Sequence, residues 1–182
     1  IGNGSLIENG DKLLINGSLG EHSVAILAAR NNMSFRSSVT SDCASLNHLV
    51  RRVLDKCSGV HFMRDLTRGG LAAVLNELAL MTGKGIIIDE MAVPVDEAVR
   101  GLCEILGFDP LCLANEGKIL FVANEKDCAM IMEILRADPL GRNASVVGEI
   151  TKERGNRPVL KTLSGGMRII DMPSGTLLPR IC

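Results

Sequence analysis

The fold is decided by the stretch His61-Phe-Met-Arg-Asp-Leu-Thr-Arg-Gly-Gly70-Leu-Ala-Ala-Val-Leu-Asn-Glu-Leu-Ala-Leu-Met81. His61–Met63 predicts a short strand, Arg64–Gly70 a loop ending in paired glycines, and Leu71–Met81 an amphipathic helix. A strand, a tight loop and a helix in this order favour a layered domain in which helices pack on a sheet.

The same alternation continues on both sides of this stretch. It predicts an α/β or α+β layered domain with packed helices on a mixed sheet, without internal repeats. The remaining predicted strands are Asp11–Gly17, Gly85–Asp89, Lys118–Ala123 and three short ones near Ser145–Ile150, Val159–Leu163 and Met167–Ile170. The remaining predicted helices run from Gly20–His22 to Ala28, from Ser45 to Cys57, from after Pro94 to Gly107, and onward from an N-cap at Asn124.

The composition excludes several classes of function. The formal net charge is −1 and there is no basic stripe, which disfavours nucleic acid and acidic membrane surfaces as partners. Four Phe, with no Trp or Tyr, leave few platforms for stacking bases. No apolar run is long enough for a transmembrane helix. Six cysteines without a CxxC pair disfavour a structural zinc site, so we predict no metal centre and a reducing, cytoplasmic location.

The last ten residues, Pro173-Ser-Gly-Thr-Leu-Leu-Pro-Arg-Ile-Cys182, predict a flexible arm. Pro173, Gly175 and Pro179 cannot continue a helix, and ten extended residues reach roughly 33 Å. The reactive Cys182 sulfur would lie at its tip, and such an arm can carry a covalently bound group between sites. The alternative is an accidental cysteine on a frayed end. We therefore divide the chain into a domain, 1–172, and a tail, 173–182.

The start of the chain gives a further expectation. It begins at Ile1, without a methionine or a signal peptide, and is therefore predicted to be part of a longer protein.

The loop Arg64–Gly70 is the first candidate binding element. Paired glycines at a helix N-terminus expose main-chain N–H groups to an anion, and the helix dipole adds to the attraction. Asp65 could cap the helix or hold a magnesium ion, and Arg68 could contact a phosphate. The structural alternative is a helix cap in which the glycines allow close packing.

The loop Leu113-Ala-Asn-Glu-Gly117 is the second candidate, because it immediately precedes the most apolar strand. The Glu116 carboxylate at the mouth of that strand is suited to a general base or a metal ligand. The same residues are also ordinary turn formers. The turn at Gly20–His22 is a weaker signal, since a single histidine at a helix start is more often structural.

The order of these motifs carries a resemblance to a known family. Gly17–His22, Asp65–Gly70, Asn115–Gly117 and the terminal Pro179–Cys182 resemble the C-terminal half of the HypE family of hydrogenase maturation factors, over essentially the whole chain. The Asp-x-Thr-x-Gly-Gly loop is shared with a wider superfamily that includes aminoimidazole ribonucleotide (AIR) synthetase. The terminal Pro-Arg-Ile-Cys is much more specific to HypE.

The resemblance implies a reaction. HypE-like proteins accept a carbamoyl group from HypF on the terminal cysteine, here Cys182. They use ATP to phosphorylate the carboxamide oxygen, and loss of phosphate leaves a thiocyanate. The cyano group passes to iron on the HypC–HypD complex for the [NiFe] hydrogenase active site. Glu116 is then the candidate base for the amide protons.

The resemblance also implies what surrounds this chain. The expected fold is a three-layer domain like the C-terminal domain of PurM. ATP and Mg²⁺ are expected to bind mainly to an N-terminal domain outside this chain, which also supplies much of a homodimer interface. The contribution expected here is the loop with Asp65, Thr67, Arg68, Gly69 and Gly70. The isolated chain should therefore be inactive.

Two other readings stay open at this point. Another ATP-dependent synthetase of the superfamily would share the Asp65–Gly70 loop but would not need a terminal cysteine. A non-catalytic docking module predicts that the tail is dispensable.

Overall fold

The structure is a computed structural model that describes residues 4–30, 39–153 and 155–174. Within them, strands and helices alternate along most of the chain, as the sequence predicts. The strands are β1 (Lys12–Ile15), β2 (Val60–Asp65), β3 (Gly85–Asp89), β4 (Ile119–Ala123), β5 (Ser145–Thr151), β6 (Pro158–Lys161) and β7 (Met167–Ile169). The α-helices are α1 (Glu21–Arg30), α2 (Asn47–Lys56), α3 (Gly70–Thr82), α4 (Glu97–Leu106) and α5 (Glu125–Arg136).

The strands form one mixed sheet in the order β2-β4-β1-β5-β3-β6-β7. Neighbouring strands are antiparallel except β3 and β6, which are parallel. β2 is longer than the predicted His61–Met63, because Arg64 and Asp65 pair with Leu120 and Ile119 of β4. This pairing brings the start of the glycine loop to the end of the sheet where β4 begins.

Side-chain alternation along the central strands builds two cores on opposite faces of the sheet. Leu13 and Ile15 of β1 pack into the core under α3, whereas Leu14 packs into the core under α2 and α5. Helices on both faces give three layers. The predicted α+β layered class is therefore confirmed.

The helix boundaries follow the predicted signals. The Asn124 side chain accepts a hydrogen bond from the Asp127 main-chain N–H at 2.9 Å and caps α5. Gly107 ends α4 with φ +69°, a conformation that glycine adopts without strain. Both boundaries confirm the prediction.

Three short 3₁₀ helices were not predicted. They span Glu90–Ala92, Pro110–Cys112 and Pro139–Gly141, and each directly follows an aspartate. In each case the aspartate side chain accepts the main-chain N–H two residues ahead, which is the Asx-turn geometry. The sequence signal was therefore present in the aspartates.

Among the helices that the structure describes, none combines the length and the apolar character that a membrane span requires.

Replacement of Phe121 by alanine tests the core under α2 and α5. Phe121 is fully buried in the middle of β4, so Phe121→Ala should lower the free energy of unfolding by about 3–5 kcal/mol. Urea denaturation followed by circular dichroism measures it. Met130→Ala on the exposed side of α5 (44% exposed) is the control and should change stability little. Equal effects of the two substitutions would contradict the assigned core.

Candidate functional site

The side chain of Asn115 joins the three motifs of the domain. Its Oδ1 accepts the Gly20 main-chain N–H at 2.8 Å, and its Nδ2 donates to the main-chain oxygens of Leu66 at 3.2 Å and Leu113 at 2.9 Å. The Asn115 main-chain N–H also donates to Leu66, at 3.1 Å. Asn115 is completely buried. The motifs therefore meet around one amide at one end of the sheet.

Glu116 follows directly and lies at the surface. Its carboxylate makes no hydrogen bond or ion pair with any residue that the structure describes. Its main-chain N–H instead donates to Asp42 Oδ1 at 3.1 Å. The carboxylate is thus held on a fixed backbone but remains available to a substrate, as a general base requires.

Lys118, two residues after Glu116, is a buried cation. Its Nζ is 2.7 Å from Glu21 Oε2 and 3.0 Å from Asp42 Oδ2, and its side chain is 9% exposed. Burial raises the pKa of Glu21, and the neighbouring Lys118 ammonium opposes that rise. A lysine removed from water requires such compensation, so the two carboxylates account for its position.

A cavity of about 330 Å³ opens beside this cluster. Its walls come from the residues after β1, the start of α1, the segment before α2, the residues between Glu116 and β4, and the loop after α5. They are Asn16, Gly17, Ser18, Glu21, Asp42, Gly117, Lys118, Pro139, Leu140, Arg142 and Asn143. Residues of two sequence motifs, Gly17–His22 and Asn115–Gly117, therefore line one cavity.

The glycine loop begins α3, as predicted, but it is capped differently. Gly69 is the N-cap at φ +74°, and no side chain caps the helix. Asp65 as the cap is therefore wrong, because Asp65 ends β2 and its carboxylate accepts the Thr67 hydroxyl at 2.8 Å. The Asp65 side chain is 61% exposed, and Arg68 is also exposed. Both remain accessible to a ligand.

Gly70 has a packing role. Its φ is +59°, and a Cβ there would collide with the main-chain oxygens of Leu111 and Leu113. The loop thus packs its second glycine against the 3₁₀ segment that leads to Asn115. A side chain at Gly70 would disturb folding, whatever it did to phosphate binding.

The base of the C-terminal arm lies beside the same loop. Atoms of the Pro173 ring lie 3.6 and 3.8 Å from the position that a Cβ on Gly69 would occupy. Cys182 itself lies outside the described residues. Pro173, the first residue of the predicted arm, thus lies beside the N-terminus of α3, and a fully extended segment of eight residues reaches roughly 26 Å.

The described cysteines differ from the predicted acceptor thiol. Burial raises the pKa of Cys103 and Cys112 to about 11, and raises that of Cys57 and Cys128 as well. These thiols stay protonated at neutral pH and are poor nucleophiles. Cys43 is exposed. It is therefore the appropriate comparison for any test of Cys182.

Two residues of this site were not predicted from the sequence. Asp42 lies in a segment without helical or strand periodicity, and nothing local connects it to Glu116. Lys118 gave a usable signal, because a charged residue at the start of an entirely apolar strand must be paired or exposed.

A comparison with protein families identifies the domain. Residues 8–161 match the model of the AIR synthase related protein, C-terminal domain. The chain belongs to the AIR synthase related C-terminal domain family. The carbamoyl dehydratase HypE of Rhodobacter capsulatus is 46% identical to this AIR synthase related domain over 176 residues, which are 97% of the chain and 52% of that protein. The resemblance to HypE is thereby confirmed.

Two solved structures give the same result. The domain superposes on a HypE structure in complex with ATP with a TM-score of 0.93 and 39% identity, covering all of this chain and 55% of that one. It superposes on HypE in a HypE–HypF complex with a TM-score of 0.87 and 36% identity, covering 92% and 54%. The chain thus spans about half the length of the relatives that it matches.

Replacement of Asn115 tests the junction of the three motifs. Asn115→Ala would leave the buried N–H of Gly20 and the buried oxygen of Leu113 without this partner. Each buried unpaired group costs about 1–3 kcal/mol, so we expect a loss of about 2–4 kcal/mol of stability in chemical denaturation. Asn143→Ala, which removes one side-chain bond to Ser18, should cost less than about 1 kcal/mol. If both variants are equally stable, Asn115 does not hold the site together.

Proposed function

We propose that this domain is the acceptor half of an ATP-dependent carbamoyl dehydratase that works in hydrogenase maturation. The observation that carries the proposal is the 46% identity to a carbamoyl dehydratase over 97% of the chain. The geometry adds support, because the exposed Glu116 and the glycine loop meet at Asn115, and Pro173, where the proposed arm begins, lies beside Gly69.

In the first step the Cys182 sulfur forms a bond to the carbamoyl carbon while the bond between that carbon and the leaving group of an activated carbamoyl donor breaks. The thiol loses its proton, and the leaving group departs with the donor. The chain supplies only the thiol, so the carbamoyl donor must come from a partner. We propose HypF for this role, and a relative of this domain has been solved in a HypE–HypF complex.

In the second step the carboxamide is dehydrated. ATP supplies the phosphoryl group that converts the carboxamide oxygen into a leaving group, with ADP as the other product. Two N–H protons are lost as the carbon–oxygen bond breaks and phosphate departs, which leaves a thiocyanate on sulfur. Glu116 acts as the base for these protons, because its carboxylate is exposed and unengaged.

The residues of the glycine loop fit one part of a nucleotide site. The exposed Arg68, the Thr67–Asp65 pair and the amide groups at the N-terminus of α3 are suited to phosphate oxygens. They do not complete a Mg²⁺ site, since the described part of the chain holds no group of three or more potential ligand residues. Asp65 would contribute one carboxylate, and we propose that the other half of the protein supplies most ligands.

The partners are likewise proposed for the full-length protein and not for this domain alone. We propose that the full-length protein is a homodimer, delivers the cyano group to a HypC–HypD complex, and works in the cytoplasm. The 173–182 segment would act as the mobile carrier and 1–172 as its folded base. The isolated domain would be inactive.

Removal of the acceptor thiol should separate loading from folding. In the full-length protein, Cys182→Ala should abolish carbamoylation, because no other thiol occupies the end of the arm. Intact-mass measurement with HypF, carbamoyl phosphate and ATP detects the group. Cys43→Ala is the matched control and should be loaded at the wild-type rate. If Cys182→Ala is still loaded at that rate, the arm is not the carrier.

Glu116→Gln should spare loading and slow dehydration. Glutamine keeps the size of the side chain but cannot accept the amide protons, and loss of a general base costs about 10²–10⁴-fold in rate. The assay follows the loss of one water from the carbamoylated C-terminal peptide by mass. Dehydration of the variant at the wild-type rate would mean that Glu116 is a turn residue and that the base lies elsewhere.

A further inference from the structure

The segment before α2 crosses directly over the turn that carries Glu116. Asp42 Oδ1 accepts the Glu116 N–H at 3.1 Å, and Asp42 Oδ2 accepts the Gly117 N–H at 3.3 Å. Two residues later, the Ala44 N–H points to the Glu116 main-chain oxygen at 3.5 Å. The main-chain N–H and the main-chain oxygen of Glu116 are therefore both bonded to the same segment.

Gly117 allows this close approach. A Cβ on Gly117 would collide with the main-chain oxygen of Asp42. The φ of Gly117 is not positive, so a side chain is excluded by the neighbouring segment and not by backbone conformation. The sequence Glu116-Gly117 is thus built to receive Asp42.

Lys118 also holds the Asp42 carboxylate in place. Asp42 Oδ2 accepts both the Gly117 N–H and the Lys118 ammonium, and the same ammonium binds Glu21 at the start of α1. Any movement of Asp42 would leave the buried ammonium with one partner, which is strongly unfavourable. The position of Asp42 is therefore set by α1 and β4 together.

Asp42 cannot act on a substrate directly. Its side chain is only 2% exposed, and its two carboxylate oxygens already accept three donors. The neighbouring Glu116 shows the opposite properties, since its carboxylate is exposed and unengaged. The Asp42 carboxylate therefore holds the turn, whereas the Glu116 carboxylate is available to the reacting group.

We propose that Asp42, held by Lys118, is a positioning residue of the dehydration: it fixes the main chain of Glu116 and thereby the place from which that carboxylate acts. This proposal rests on the proposed function for its catalytic part. Its structural part concerns only the Glu116–Gly117 amides. The two parts can be tested separately.

The catalytic part is tested by a double-mutant cycle in the full-length protein. Asp42→Asn should leave loading of Cys182 intact and slow dehydration about 10- to 100-fold, through kcat and not through the KM for ATP. In a Glu116→Gln background the same change should have no further effect, because Asp42 acts through Glu116. If the losses in dehydration rate of the two single variants multiply in the double variant, the proposal is overturned.

Two further variants distinguish a loss of positioning from a folding defect. Asp42→Glu keeps the charge that Lys118 needs but moves the acceptor oxygens, so it should show the same selective loss of dehydration. Asp11→Asn is the matched control, because Asp11 is an equally buried carboxylate that accepts a main-chain N–H and pairs with His61 at the other end of β1. It should leave the dehydration rate per folded molecule unchanged. Equal losses in the Asp11 and Asp42 variants would contradict positioning.

The structural part needs no activity. Hydrogen exchange of the peptide containing Glu116 and Gly117, measured by mass spectrometry, should be slow in the wild type and at least tenfold faster in Asp42→Asn. Exchange there should be unchanged in Asp11→Asn. Unchanged exchange in Asp42→Asn would overturn the proposal even if the protein dehydrates. If the wild-type protein is never carbamoylated, the proposed function is refuted. The exchange result would then still show whether Asp42 holds the Glu116 and Gly117 amides.

Discussion

The buried amide of Asn115 is the interaction on which the arrangement of the site depends. Its position needs one acceptor for the Gly20 N–H and two donors for the oxygens of Leu66 and Leu113. Only a side-chain amide offers both functions in so small a group. An aspartate would face the two oxygens with charge, and a leucine would leave the Gly20 N–H and the Leu113 oxygen without this partner. One residue thereby holds three loops that are far apart in sequence.

The sheet explains why one residue can do this. β1 and β4 are antiparallel neighbours, and so are β4 and β2, so the segment after β1, the turn before β4 and the loop after β2 come to the same end of the sheet. The two flanking cores hold this end in place, since β1 and β4, which converge there, are buried on both faces. The Glu116 carboxylate and Arg68 remain exposed near this end, and Pro173 lies beside Gly69.

Most of the elements could be predicted from the sequence because their signals are local. The apolar face of α2, the cap at Asn124 and the glycine after α4 depend on neighbours a few residues away. The glycine loop was predicted at the right place. Of the two roles offered for Asp65, the helix cap is wrong, because pairing of β2 with β4 extends the strand through that residue. Tertiary pairing decided where the loop begins.

The missed residues required information that no local pattern contains. Asp42 bonds to the main chain 74 and 75 residues away, and the segment around it has no periodic structure of its own. Lys118 was visible as a charge at the start of an apolar strand, yet its partners Glu21 and Asp42 come from two distant segments. The motifs could be found from the sequence, whereas the contacts that connect them could not.

On the proposed function, the terminal cysteine carries a carbamoyl group that this site converts into a thiocyanate. The mass of the C-terminal peptide of the full-length protein, after incubation with HypF, carbamoyl phosphate and ATP, tests this step. We expect the addition of one carbamoyl group on Cys182, followed by the loss of one water that depends on ATP. A peptide that stays unmodified, or that is loaded and never loses water, would contradict it.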